Sequence, residues 1–186
     1  MSSMDWELLD ERRVLEASIF AISKVRARSE RSGREHAFDI LAAPDWVNVI
    51  ALTDAGRAVL IRQYRHGTRE VTIEIPGGQV DPGETPLEAA RRELDEETGY
   101  RSAHWEQIGA VDPNPAFQTN TTYTFLARDA RPAGVQHLDD NEEIEVEELP
   151  LDDVPALFAA GQIRHALVMC AFFHLALRGG FVLGGS

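Results

Sequence analysis

Lysine and cysteine are nearly absent from this chain, which has one of each, Lys24 and Cys170, in 186 residues. A lone cysteine can form neither an internal disulfide nor a cysteine-cluster metal site, so nothing asks for an oxidising compartment and a cytoplasmic setting is expected. The cations number 18, all but Lys24 arginine, against 31 carboxylates, for a formal net charge of −13. Such a surface repels polyanions at long range, which argues against nonspecific nucleic-acid binding. Long hydrophobic runs are missing too. The strongest candidate, Ala166–Phe173, has eight residues between His165 and His174, far short of the about 20 that a spanning helix needs. The first residues carry Asp5, Glu7, Asp10 and Glu11, where a secretory signal would need a basic end and an apolar run. A soluble protein without a membrane partner is expected.

What is present reads as one main globular domain, with 44% apolar and 26% charged residues and with glycine and proline spread along the chain. Val14–Val25 and Arg34–Leu41, separated by the polar turn Ser29–Gly33, predict an N-terminal hairpin. Ala43-Pro44-Asp45 marks the expected boundary, giving an N-terminal β segment over 1–44 and a main domain over 45–186. Trp46–Leu52 and Ala58–Tyr64, joined at Asp54-Ala55-Gly56, predict a second hairpin, and Val71, Ile73 and Ile75 alternate until Pro76-Gly77-Gly78. Thr85 as N-cap, Pro86 at the first helical position, Glu88 completing a capping box and Gly99 at the far end predict a helix over Thr85–Thr98. Strands are expected around Trp105–Val111, Thr121–Arg128 and Glu143–Glu147, followed by two helices. The last, Ile163–Leu177, repeats apolar residues at 163, 167, 170, 173 and 177, predicting that stripe faces the core, with Cys170 and His174 on or beside it. Strands, a helix, more strands and terminal helices together predict an α+β fold with mixed sheet pairing.

Sixteen of the carboxylates fall in two groups, one from Asp81 to Glu97 and one from Asp139 to Asp153. Within the first, Glu93, Glu96 and Glu97 stand at i, i+3 and i+4 on one side of the helix, adjacent to the apolar side of Leu87, Ala90 and Leu94. Like charges at that spacing destabilise a helix by a few tenths of a kcal/mol per pair, a cost that a bound divalent cation removes. Oxygen ligands without cysteine or paired histidine nearby favour Mg²⁺ or Mn²⁺ over zinc. Arg92 lies on the flank toward Glu96, placed to orient a carboxylate rather than to touch substrate.

Reading on from Gly78, five residues lead to Glu84, seven more to Arg92-Glu93-Leu94-Asp95-Glu96-Glu97-Thr98-Gly99-Tyr100. Every fixed position of the Nudix box is matched, Gly-x5-Glu-x7-Arg-Glu-U-x-Glu-Glu-x-Gly-U with U apolar or aromatic, so the chain resembles a Nudix hydrolase. That resemblance implies an αβα sandwich with a mixed sheet, plus the small N-terminal antiparallel β segment. It implies Glu93 and Glu97 as principal metal ligands, Glu96 contributing directly or through water, and the Gly77 carbonyl as a further ligand, with Glu84 and Arg92 in support.

The activity implied is metal-dependent hydrolysis of a nucleoside diphosphate linked to another group. Deprotonating the attacking water needs a further carboxylate, and Asp140-Asn141-Glu142-Glu143 supplies candidates. The run resembles the downstream acidic loop of the nucleoside diphosphate sugar branch, which places Glu142 as base or additional metal ligand, with Glu143 and Asp140 as competitors. Arg62-Gln63-Tyr64-Arg65, then Glu74-Ile75-Pro76-Gly77-Gly78, resembles the approach to the box in ADP-ribose pyrophosphatases, where an arginine equivalent to Arg65 meets the diphosphate. Pro115 stands sixteen residues beyond Gly99, at that branch's spacing for a marker proline. The N-terminal segment implies a homodimer that completes the nucleoside pocket, with Phe20 a candidate to stack on the base. The amide- and proline-rich stretch Asp112–Asn120 departs from the Ser- and Gly-rich loop of dedicated ADP-ribose enzymes. ADP-ribose is therefore expected first, with GDP-mannose or another nucleotide sugar next. A nucleoside triphosphate hydrolase and a non-catalytic nucleotide-sugar sensor are the rival readings.

Overall fold

The computed structural model describes residues 4–139 and 142–182. Two compact units form, one from residues up to Pro44 together with Asp112–Thr121, the other from Asp45–Val111 together with the residues from Thr122 onward.

In the first unit, β1 (Trp6–Glu16), β2 (Ala21–Ser29) and β3 (Glu35–Ala42) form an antiparallel sheet in that order. The continuous strand expected over Val14–Val25 is broken at residues 17–20, where the Ala17 N–H donates to the Phe20 carbonyl at 2.9 Å. The hairpin is therefore a three-stranded meander with an unforeseen first strand. β1 is charged on both faces and has no apolar alternation to betray it; its pairing runs from Glu16↔Ala21 to Trp6↔Ser29. The middle strand is narrow at Ala27 and Ser29, and Trp6 packs edge-on against Phe38 and His36 at centroid distances of 5.4 and 5.9 Å. Residues 112–121 join this unit through Leu41, whose N–H donates to the Phe117 carbonyl at 2.7 Å and whose carbonyl accepts from Thr119 at 3.2 Å.

The second unit is built on a seven-stranded mixed sheet. Its elements are β4 (Trp46–Thr53), β5 (Arg57–Arg65), β6 (Glu70–Glu74), α1 (Pro86–Thr98), β7 (Tyr100–Arg101), β8 (His104–Val111), β9 (Thr122–Pro132), β10 (Ile144–Pro150), α2 (Val154–Ala159) and α3 (Ala166–Leu177). The order β10-β5-β4-β9-β7 carries β6 beside β5 and β8 beside β9, with β4 and β9 parallel. β4 is apolar on both faces because both are covered. Val47, Val49 and Ala51 join Ala89, Ala90 and Leu94 of α1. On the opposite face Ile50 and Leu52 join Ile108, Leu126 and Val168, Phe172 and Leu175 of α3. This unit is an αβα sandwich within an α+β chain.

α3 departs from the expected phase. Its buried residues are Val168, Ala171, Phe172 and Leu175, while Phe173 and Leu177 are 52% and 67% exposed. Cys170 is half-buried, and His174 packs its ring over Gly109 of β8. The reason is composition: ALVMCAFFHLAL is apolar all round, so the sequence offers no polar face from which to set the rotation. Among the described residues, no helix is long and apolar enough to cross a membrane.

Candidate active site

After β6 the chain does not turn away but docks along β4. Val49 donates to the Pro76 carbonyl at 2.8 Å, Val47 to the Gly78 carbonyl at 2.9 Å, and Val80 to the Asp45 carbonyl at 2.9 Å. Side chains are excluded from the middle of this segment, since a Cβ at Gly77 would lie 2.2 Å from the Val47 carbonyl oxygen and one at Gly78 2.2 Å from Glu93 Oε1. The helix then begins with a complete capping box: the Thr85 hydroxyl accepts from the Glu88 N–H at 3.3 Å and the Thr85 N–H donates to Glu88 Oε2 at 2.8 Å. With Ala89, Ala90 and Leu94 buried against the sheet, Glu93 and Glu97 are turned toward the Pro76–Gly78 segment.

Arg92 is the hub of the box. Its Nε and Nη2 grip the two Glu84 oxygens at 3.1 and 3.0 Å, and its Nη1 donates to Glu93 Oε1 at 2.8 Å and Glu96 Oε2 at 3.1 Å. Nη2 also donates to the Gln79 carbonyl at 2.9 Å. Glu97 points elsewhere, its Oε2 accepting from the Gly77 N–H at 2.8 Å. The contact made by Gly77 is thus through its N–H. The three box carboxylates share a side of the helix but fan apart, and among the described residues no three His, Cys, Asp or Glu side chains are gathered into a ready cage.

Burial pushes the Glu93 carboxyl up to about 7, with the charges of Glu96 and Glu142 adding to the rise and Arg92 opposing it. Burial also drives Glu97 well above the usual carboxylate range, opposed by the Gly77 N–H and reinforced by Glu93 and Glu142. Glu97 is only 3% exposed, and among the described residues it has no ion pair. A buried, uncompensated anion is costly, and a bound cation is one of the few ways to retain it in charged form.

Glu142 belongs to the same field. β10 pairs antiparallel with β5 with Ile144 opposite Gln63, which brings the preceding residues level with the end of β5, and the Glu142 charge is felt by Glu93, Glu97 and Arg65. Its N–H donates to the Asp139 carbonyl at 2.9 Å, and its Oε2 accepts from the Asp139 N–H at 3.3 Å. Glu143 is exposed. Asp140 lies outside the described residues.

Arg65 is held rather than free. Its Nε and Nη2 donate to the two Glu74 oxygens at 2.8 Å each, and the Thr72 hydroxyl donates to Glu74 Oε1 at 2.6 Å. Burial works to raise the Glu74 pKa, but the Arg65 fork and the Thr72 hydroxyl outweigh it and hold the carboxyl below its ordinary value. Among the described residues Nη1 has no hydrogen-bond partner. Arg62 is paired with Glu147 through Nε at 3.2 Å. Phe20 and Pro115 belong to the first unit, Phe20 half-buried in the turn before β2 and Pro115 exposed in the turn over 114–117. A surface cleft of about 430 Å³ at the β7–β9 edge, lined by Arg101, Ser102, His104, Asp129 and Arg131, contains none of these carboxylates.

Two residues here carry no sequence signal. His165, whose Nδ1 is buried without a partner among the described residues, has its pKa lowered by burial against the opposing charge of Glu74. Gln136 donates through Nε2 to the carbonyls of Glu97 at 2.6 Å and Ile144 at 3.1 Å.

Comparison with known proteins identifies the family. The NUDIX domain matches residues 44–172. The chain is 30% identical to the ADP-ribose pyrophosphatase of Bacillus subtilis (strain 168) over 175 residues, 91% of this chain and 95% of that protein. It is 27% identical over 177 residues to the methanol dehydrogenase activator of Bacillus methanolicus, 92% of this chain and 96% of that protein. A crystal structure of an ADP compounds hydrolase superposes with a TM-score of 0.84 at 23% identity, covering 97% of this chain and 99% of that one, so the two share a fold. The chain belongs to the Nudix family.

Proposed function

We propose that this protein hydrolyses the pyrophosphate bond of a nucleoside diphosphate sugar, ADP-ribose first, releasing a nucleoside monophosphate and a sugar phosphate. One observation carries the reading: the buried Glu97 and the partly buried Glu93 both lie in the field of Glu142, with Arg92 bonded to Glu93 and the charge of Arg65 acting on Glu97. A full-length relative of ADP-ribose pyrophosphatase type agrees with it.

The residues suit a divalent cation, Mg²⁺ or Mn²⁺. The donors are all oxygen, Glu97 is a buried carboxyl lacking an ion-pair partner among the described residues, and the missing Cβ of Gly78 is the space into which the Glu93 carboxylate fits. Glu93 and Glu97 would hold the ion, with Glu96, Glu142 and the Gly77 carbonyl as further oxygens. When bound, the ion neutralises phosphate charge and acidifies water.

The chain's own groups do the rest. Arg92, fixed by Glu84 and the Gln79 carbonyl, orients Glu93 and Glu96. Arg65, set by the Glu74 fork, offers Nη1 to a phosphate oxygen, and Arg62 adds positive charge on the same strand. Glu142 takes the proton of the attacking water as its oxygen bonds to phosphorus and the bridging P–O bond breaks. Glu143 is the competing base. Phe20 and Pro115 contribute to recognition of the nucleoside and sugar. The segment over 1–44 serves as dimerisation and pocket element for the catalytic domain over 45–186; the exposed Trp6, Leu8, Val14, Leu15, Ile19 and Phe38 are the apolar surface a second copy would cover. A cytoplasmic homodimer acting on a small nucleotide sugar, with neither nucleic acid nor membrane as partner, is the resulting picture.

The test is a panel of ADP-ribose, GDP-mannose, other nucleotide sugars and nucleoside triphosphates with Mg²⁺ or Mn²⁺, products identified by mass. AMP and ribose 5-phosphate from ADP-ribose are expected. Cleavage of triphosphates alone would overturn the proposal, and binding of sugars without products would make the protein a sensor.

A further inference from the structure

The last turn of a helix leaves carbonyls without intrahelical partners. At the end of α1, the carbonyls of Glu96, Glu97 and the capping Gly99 are claimed by one short segment, residues 133–137. The N–H groups of Ala133 and Gly134 both donate to the Gly99 carbonyl, at 2.9 and 3.1 Å, and the His137 N–H donates to the Glu96 carbonyl at 2.8 Å. Gly99 has a left-handed φ of 71° and would place a Cβ 2.7 Å from the Gly134 carbonyl oxygen, so the contact depends on that glycine. The Glu97 carbonyl is left, and it receives a side chain, the Gln136 amide, at 2.6 Å.

The second hydrogen of the same amide goes to the Ile144 carbonyl at 3.1 Å, where β10 begins, two residues beyond Glu142. Both acceptors are carbonyl oxygens, so only the amide nitrogen can face them and the orientation of the side chain is fixed by its partners. One planar NH₂ group thus joins the residue that carries a buried box carboxylate to the strand that delivers Glu142. Asp139 and Glu142 close the same loop on themselves through the Glu142 N–H to the Asp139 carbonyl at 2.9 Å and the Asp139 N–H to Glu142 Oε2 at 3.3 Å.

We infer that Gln136 is a positioning residue for the hydrolysis: by bridging the Glu97 and Ile144 carbonyls it sets the distance between the box carboxylates and Glu142. The inference rests on the reading of Glu142 as the base. Gln136 does not touch substrate. Its loss lets Glu142 shift relative to the helix, and small misplacements of this kind lower turnover by roughly ten- to a hundredfold, with little change in substrate affinity.

The experiment is a double-mutant cycle on the full chain with ADP-ribose and Mg²⁺, reading kcat, KM and the pH profile of kcat for Gln136→Met, Glu142→Gln and the double variant. Methionine keeps the length and volume and removes both donations. Gln136→Met is expected to lower kcat about tenfold, leave KM within about twofold and displace the acidic limb of the pH profile; in the Glu142→Gln background it is expected to do almost nothing more, because two residues acting as one unit are non-additive. If the two losses multiply, or if KM alone rises, Gln136 has only a structural part and the inference falls. If Glu142→Gln is damaging and Gln136→Met is neutral, the inference fails while the proposed base stands; if Glu142→Gln is neutral, the base is wrong and the inference goes with it. Should Gln136→Met not fold, Gln136→Asn, which keeps the amide at shorter reach, runs the same cycle.

Discussion

The chain has two stretches dense in carboxylates, and they are used in opposite ways. In β10 Glu145 is exposed to solvent and the two less exposed acids each find a cation: Glu147 pairs with Arg62 of β5, and Glu148 takes Arg57 Nε at 3.0 Å, the Tyr100 hydroxyl at 2.6 Å and, through its carbonyl, Arg57 Nη2 at 2.7 Å. In α1, Glu93 must share one guanidinium with Glu84 and Glu96, and Glu97 is buried with no ion pair among the described residues. Acid density alone therefore marks nothing. What separates a site from a solvated strand is negative charge buried beyond what the protein's own cations balance.

The sharpest way to break this contrast is to neutralise a box carboxylate. Glu97→Gln is expected to lower kcat by about a thousandfold, while the metal-free protein melts no lower than the unsubstituted one, since a carboxyl whose charged form burial already disfavours is replaced by a neutral amide of the same shape; an early melt with retained turnover would reverse the assignment. Next in size is Glu142→Gln, expected to cost about a hundredfold in kcat with ADP-ribose still bound by calorimetry, and Glu143→Gln within about twofold. The opposite ranking would move the base one residue along.

A smaller effect concerns pH. Because the Glu93 carboxyl titrates at about 7 in the fold against 4.5 when free, the folded state binds more protons between those values, so its contribution to stability is whole below 4.5 and is lost as pH rises through 7. Metal-free protein is expected to lose about 3 kcal/mol over that window from this group. Added Mn²⁺ should raise the melting temperature more at pH 8 than at pH 5.5, because the ion takes the deprotonated form. A metal-free melting temperature that climbs steadily from pH 4.5 to 7 would contradict this. Smallest of all, Glu147→Gln should leave kcat within twofold and stability within about 1 kcal/mol, the usual worth of a partly exposed ion pair. A large loss of activity there would erase the distinction between the two acidic stretches.

How much of this was legible in the sequence follows from how local each signal is. The α1 caps and the box spacing lie within a few turns of one another, and their chemistry is written in the residues themselves. The central hairpin of β4 and β5 was equally readable, its turn marked by Asp54-Ala55-Gly56. β1 was not, since Asp10, Glu11, Arg12 and Arg13 interrupt any apolar period, and its partners lie across a turn. The rotation of α3 was not, because a helix apolar on every side has no phase. Gln136 was beyond reach for another reason: a single amide between prolines and aspartates has no pattern, and one of its two acceptors lies 39 positions away.

The docking of Pro76–Gly78 on β4 carries a consequence for how freely the protein can change. At residue 78 the vacant volume is filled by the carboxylate of another residue, so even a methyl group must evict a Glu93 oxygen. Saturation of that codon followed by selection for turnover should return glycine alone, while the neighbouring Val80 and Asp81 drift. A constraint on inheritance here falls on a residue that has no side chain to contribute.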